Sequence, residues 1–215
     1  MAEQGVYRIH LGGRWTLADF YQLPHVFEQL YSFHCAFVGK EDIRDMERLE
    51  RVFSSYPWQG GYSAVNFYRV LFSQIPRQFR PNVKAVRYAS PGWMDVQLLL
   101  EAAKEVALAV GVVAAAGLTA SKLYNEIRKG LQDRKLLGIE IDRRKLRLAE
   151  EEIEFVEKSS VKLCKMMGFK KLKHLDELTG SPLASLKILL SYYRRISGLI
   201  SFVKKGQATF PSDEE

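Results

Sequence analysis

Along the chain, short stretches of two-residue alternation give way to long stretches with apolar positions three and four apart. That order predicts an α+β protein that is predominantly helical. Residues 6–11 (VYRIHL) alternate and predict a strand. Gly12 and Gly13 mark a turn, and Thr16 followed by Asp19 has the spacing of a capping box, the reciprocal pairing that starts many helices. The helix that follows carries Phe20, Tyr21, Phe27, Tyr31, Phe33 and Phe37. Pro24 is expected to kink or divide it, because proline has no N–H to donate and crowds the preceding turn. Residues 41–53 predict a second helix, with Ile43, Met46, Leu49 and Val52 or Phe53 on one face. Residues 56–62 (YPWQGGY) read as an aromatic loop able to act as a lid or contact. Ser63 predicts a helix start running to about residue 75, and residues 83–89 predict a second strand.

Ser90-Pro91 reads as another helix start, because serine caps well and proline fits the first helical position. Little then interrupts a helix from Asp95 to about Lys129. Ser181-Pro182 repeats the signal ahead of a last helix over residues 183–203. There Leu186, Leu189, Leu190, Tyr193, Ile196, Leu199 and Ile200 form a broad face, and Lys187, Arg194 and Arg195 make the helix amphipathic. The expected organisation is a small N-terminal α/β unit with two short strands (1–95), a long apolar-then-charged helical segment (96–156), a basic helical hairpin or bundle (157–206) and a flexible acidic tail (207–215).

The sharpest feature is the stretch 106–121 (VALAVGVVAAAGLTAS), sixteen residues without a charge. A helix that spans a bilayer core needs about 20 residues, so this stretch is slightly short. Ala107, Gly111 and Ala115 recur every four residues, a spacing that lets helix backbones approach closely. Three readings share that pattern: a central helix of a bundle, a helix inserted in a membrane, and a helix lying on a membrane surface. Downstream, twelve of the twenty residues 133–152 are charged. A heptad frame through Ile127, Leu137, Ile141, Leu148 and Phe155 also places Arg134, Arg144 and Glu151 at seam positions, which argues against a long regular coiled coil.

Charge changes the picture next. The net charge is +7, and residues 157–205 hold eleven Lys/Arg against three Asp/Glu. Lys158, Lys162, Lys165, Lys170, Lys171 and Lys173 form the candidate basic surface, for an anionic membrane or an acidic partner and, less well, for nucleic acid. Arg14, Thr16 and Ser90 form a candidate anion site. It rests on the two predicted strands being parallel neighbours, each feeding a helix N-terminus at the same sheet edge.

Catalytic patterns are not found in the sequence. The histidines are His10, His25, His34 and His174, and no HExxH, CxxC or GxSxG occurs. His34 and Cys35 are adjacent, which in a helix points them about 100° apart. No cofactor or metal ligand set is expected. With two cysteines and no apolar N-terminal run, a cytoplasmic location is expected. The function expected is a non-enzymatic, self-associating protein acting through the helix at 106–121, as a homo-oligomer or with a protein partner. Its stronger form is a membrane-associated effector or scaffold, with the basic C-terminal part on the cytoplasmic side and the N-terminal unit as the sensing part. The alternative is a cytosolic nucleic-acid or nucleotide-binding module using the basic C-terminal third or the junctions near Arg14 and Ser90.

Overall fold

The computed structural model describes residues 3–38, 43–55, 63–89, 91–137 and 148–212. The chain opens with strand β1 (Gln4–Leu11) and helices α1 (Leu17–Cys35), α2 (Ile43–Ser55) and α3 (Ser63–Gln74). A single 3-10 turn (Arg77–Phe79) leads into strands β2 (Asn82–Arg87) and β3 (Gly92–Leu99). Helices α4 (Leu100–Ala116), α5 (Leu118–Asp133), α6 (Glu150–Met167), α7 (Leu172–Thr179) and α8 (Pro182–Lys204) follow, and the short strand β4 (Ala208–Thr209) comes last. The fold is thus α+β and predominantly helical, as the periodicity predicts. The predicted loop at 56–62, Ser90, Ile141 and the last three residues lie outside the described residues.

Thr16 caps α1 as expected. Its hydroxyl accepts the Asp19 N–H at 3.2 Å, and the Asp19 carboxylate accepts the Thr16 N–H at 2.8 Å. Pro24 neither ends nor divides the helix, which runs on through it and forgoes the one bond a proline nitrogen lacks.

The sheet has four strands in the order β2-β3-β1-β4, where two were expected. Every pairing is antiparallel, and β1 lies against β3 along its whole length, from Gln4 opposite Leu99 to Leu11 opposite Gly92. The predicted helix start at Ser90-Pro91 is therefore corrected: residues 92–99 form a strand. The physical reason is alternation. Met94, Val96 and Leu98 are buried against the helices, while Trp93, Asp95 and Gln97 alternate with them on the other side. Facing Asp95 across the pair, Arg8 holds it with two bonds of 2.7 and 2.8 Å and keeps that carboxyl below its usual range.

The expected unit boundary at residue 95 falls inside β3. The expected tail also fails as a free segment up to residue 212. Ala208 and Thr209 pair with Leu11 and His10, Phe210 stacks on Phe27, and the Tyr7 hydroxyl donates to the Pro211 carbonyl at 2.8 Å.

Helix α8 is the middle of the fold and not an amphipathic surface helix. Eleven consecutive residues, from Leu183 to Tyr193, are buried, which is three turns enclosed on every side. Around it pack α1, α4, α6 and α7. Lys187 is enclosed with the rest, and burial pushes its ammonium down to about 8. One hydrophobic cluster runs from Tyr7 through α8 to Phe210.

The long helix expected from residue 95 is broken twice. Its beginning is β3, and Gly117 ends α4 with φ of +53°, a backbone conformation side chains resist. Helix α5 then leaves at 94° to α4. Phe155 of α6 lies against Gly130 and under the Arg134 guanidinium at 4.1 Å, so α5 and α6 fold back on each other.

Between β3 and α4 there is no loop, and Tyr31 holds the junction. Its buried hydroxyl donates to the Phe79 carbonyl at 2.6 Å and accepts the Leu99 N–H at 3.0 Å. Tyr31→Phe leaves a buried donor and a carbonyl unpaired. The expected loss is about 1–3 kcal/mol of unfolding free energy, read by urea titration. An unchanged midpoint would show that water reaches both groups.

Candidate functional site

From Val106 onward the α4 sequence is apolar on every side, and its neighbours use only part of it. Ala102, Ala103, Val106, Ala107, Ala109, Val110 and Val113 are buried. Their small volumes seat the helix close against α1, α6 and α8. The opposite side is open. Leu108 is 41% exposed, Gly111 and Ala115 are exposed, and Leu118 at the bend is 80% exposed. A methyl group at Gly111 would meet nothing within 4 Å.

The predicted stripe of small residues is thus divided. Ala107 belongs to the core at 4% exposure, whereas Gly111 and Ala115 face outward. The cause is helical drift: four residues advance about 40° beyond a full turn, so one step takes Gly111, and a second Ala115, off the buried side. Leu108 and Leu118 complete the open strip and were not singled out from the sequence. A helical wheel shows Leu108 beside Ala115, but Leu118 opens α5 beyond the Gly117 corner, and only the packing shows which side is free.

The candidate anion site is not assembled. Its premise was two parallel neighbouring strands, and β3 separates β1 from β2. No second helix N-terminus follows Pro91, since Gly92 begins β3. Thr16 is engaged with Asp19, whose carboxylate occupies the α1 N-terminus and is held below its usual range chiefly by the Thr16 N–H. Arg14 is exposed, and its carbonyl accepts from the Gln207 side chain at 2.6 Å.

The six lysines do not act alike either. Lys158, Lys162 and Lys165 are exposed on α6, where Lys158 pairs with Glu154 one turn away. Lys170 and Lys173 are exposed beyond it. Lys171 is drawn inward and donates to the Phe37 carbonyl at 3.0 Å. Pairs of this exposed kind contribute little to stability.

The His34–Cys35 neighbourhood is a packed interior. The His34 Nε2 shares a hydrogen bond with the Tyr192 hydroxyl, and Phe33 and Phe169 lie against the ring. Burial, helped by the Lys171 charge, lowers the imidazole to about 3. The Cys35 thiol is pushed up to about 12 by burial, so it stays protonated. Neither group has the ionisation that nucleophilic catalysis needs.

No family model, curated protein or solved structure matches the chain.

The His34 environment sets a pH dependence. Above about pH 6.5 the imidazole is neutral in both folded and unfolded chains. As pH falls below that value, the unfolded chain takes a proton that the folded chain refuses until about 3. Unfolding is therefore favoured by up to about 1.4 kcal/mol per pH unit across that window. In His34→Gln the amide oxygen replaces the ring nitrogen for Tyr192 and cannot titrate. The stability of the wild type relative to this variant is expected to be flat above about pH 7 and to decline between about pH 6 and 4.5. A constant difference across both ranges would mean that His34 protonates freely in the folded protein.

Proposed function

We propose that this chain is a non-enzymatic self-associating protein whose contact face is the outer side of α4, with the sheet and α1 as its partner-sensing part. The observation that carries the reading is Gly111. A glycine inside a helix costs roughly 0.5–1 kcal/mol relative to alanine. The folded chain has no use for that cost, because a methyl group there would touch nothing. A second helix crossing at Gly111 does use it, since the missing side chain lets two backbones approach to the low end of about 8–10 Å. Leu108, Ala115 and Leu118 supply uncharged surface on either side. Two copies related by a twofold axis would present the same strip to each other, the commonest arrangement of oligomers.

Leu118 favours one further form of this reading. No single described helix is long and apolar enough to cross a membrane, and α4 and α5 pass by length and composition only together, while meeting at 94°. A leucine at the tip of that bend, 80% exposed and four residues before Lys122, suits the interface of an anionic bilayer better than its interior.

The test is the mass of the full chain in solution without detergent, across a concentration series, together with flotation on anionic vesicles. The wild type is expected to be a dimer or larger. Gly111→Leu and Leu108→Glu are expected to shift it to monomer with the fold intact. Gly111→Ala is expected to weaken association while raising the unfolding free energy of the monomer by about 0.5–1 kcal/mol. Flotation that Leu118→Glu abolishes would assign the strip to the membrane surface. A wild-type monomer that does not float would refute both forms.

A further inference from the structure

We infer that the free edge of β2 is a docking site for an acidic, extended peptide segment of a partner, which adds to the sheet as one more strand. The argument starts from charge. Residues 51–94 contain Arg51, Arg69, Arg77, Arg80, Lys84 and Arg87 and no Asp or Glu. The basic character is therefore not confined to the C-terminal third. This run ends in β2, which stands at the edge of the sheet with β3 on one side and no strand on the other among the described residues. An edge strand leaves alternate N–H and C=O groups unpaired, a template for another extended chain.

The side chains of β2 suit such a chain. Val83 and Val86 lie opposite Val96 and Met94, so they belong to the side of the sheet that is core elsewhere. Val96 and Met94 are buried at 3% and 4%, while Val83 and Val86 are about half exposed. The helix layer stops short of β2 and leaves an apolar shelf of Val83 and Val86 beside the unpaired backbone, while Tyr88 is turned to Phe20 and the Trp15 N–H. Arg87, opposite Trp93, takes the other side of the sheet, and Lys84 is the extra residue where the register shifts between Val83 and Ala85. Both are exposed. Arg80 turns back to the Ile75 and Ser73 carbonyls and the Phe72 ring, while Arg77 stays exposed next to the strand.

This chemistry selects among occupants. A second copy of β2 would oppose Lys84 and Arg87 with the same charges, which is how edge strands repel their own kind. A nucleic acid would use the cations but neither the valine shelf nor the unpaired amides. An extended peptide with aliphatic and acidic residues alternating uses all three, with main-chain bonds giving affinity and alternate side chains giving selectivity. The site is separate from the outer side of α4, and its test reads binding instead of mass.

The experiment is fluorescence anisotropy of the full chain with a labelled peptide of about eight residues that alternates valine and glutamate. Three competitors are added: the valine–lysine peptide, the acidic peptide N-methylated at alternate residues, and an oligothymidylate. The acidic peptide is expected to bind. Lys84→Glu with Arg87→Glu is expected to weaken it about tenfold or more, and Gly111→Leu to leave it unchanged. The N-methylated and lysine peptides are expected not to compete. No binding of the acidic peptide would overturn the proposal. So would equal binding of the N-methylated peptide, which would leave charge alone at work, or stronger binding of the oligothymidylate, which would assign the surface to nucleic acid.

Discussion

The hydroxyl of Tyr31 joins three parts of the molecule that nothing in the local sequence obliges to meet. It sits on α1, holds the last residue of β3 and takes hold of the 3-10 turn before β2 through the Phe79 carbonyl. The next residue, Leu100, donates to the Glu3 carbonyl at 3.1 Å and begins α4 at once. A helix start leaves backbone donors without internal partners, and here the partners come from α1 and the β1 end of the sheet. With strand and helix continuous, fixing one fixes the other. The rotation of α4, and therefore which of its sides meets solvent, follows from a hydroxyl more than sixty residues away in sequence.

Rotation about α8 is settled by similar means. A helix buried on every side through its own leucines and isoleucines has many nearly equivalent ways to pack. Its polar groups distinguish among them. Tyr192 meets His34 on α1, the Arg195 guanidinium reaches Gln29 and lies 3.8 Å from the centre of the Tyr68 ring, and Ser185 meets Thr179 at the end of α7. Each would leave a buried polar group poorly served if α8 turned by one residue. Lys187, read from the sequence as one of the cations that make the helix amphipathic, is instead part of this interior.

What the sequence made legible was local. Thr16 with Asp19, Ser181 with Pro182, and the start of α3 at Ser63 are start signals carried by a few neighbouring residues, and each holds. Residues 90–99 carried two signals at once, a Ser-Pro helix start and a two-residue alternation. The alternation prevailed because β1 offers a full-length partner and the inward side chains complete the core. That pairing is non-local and invisible in the ten residues themselves. Gly117 was equally ambiguous. A glycine among alanines is tolerated in a helix, and only its positive φ, set by where α5 and α6 pack, makes it a corner. The small-residue stripe was legible as a pattern, but its division between core and surface was not, because that depends on the same rotation that Tyr31 fixes. The anion site failed for a related reason, since it required a strand order that no single segment encodes.

These constraints also sort the surfaces by the kind of neighbour each admits. The simplest route to self-association for a protein with a small sheet is edge to edge, because unpaired backbone accepts any extended chain. At β2 that route is discouraged for a second copy by Lys84 and Arg87, with no acidic residue within the strand to offset them. The outer side of α4 imposes no such penalty between Leu108 and Leu118, where no residue is charged. Like-charge repulsion falls with salt, whereas the cover of apolar surface does not. In the proposed reading, contact between copies is steered to the helix, and the sheet edge is left to partners of opposite charge. On that proposal, a homotypic face and a heterotypic edge share one chain without either competing for the other's partner.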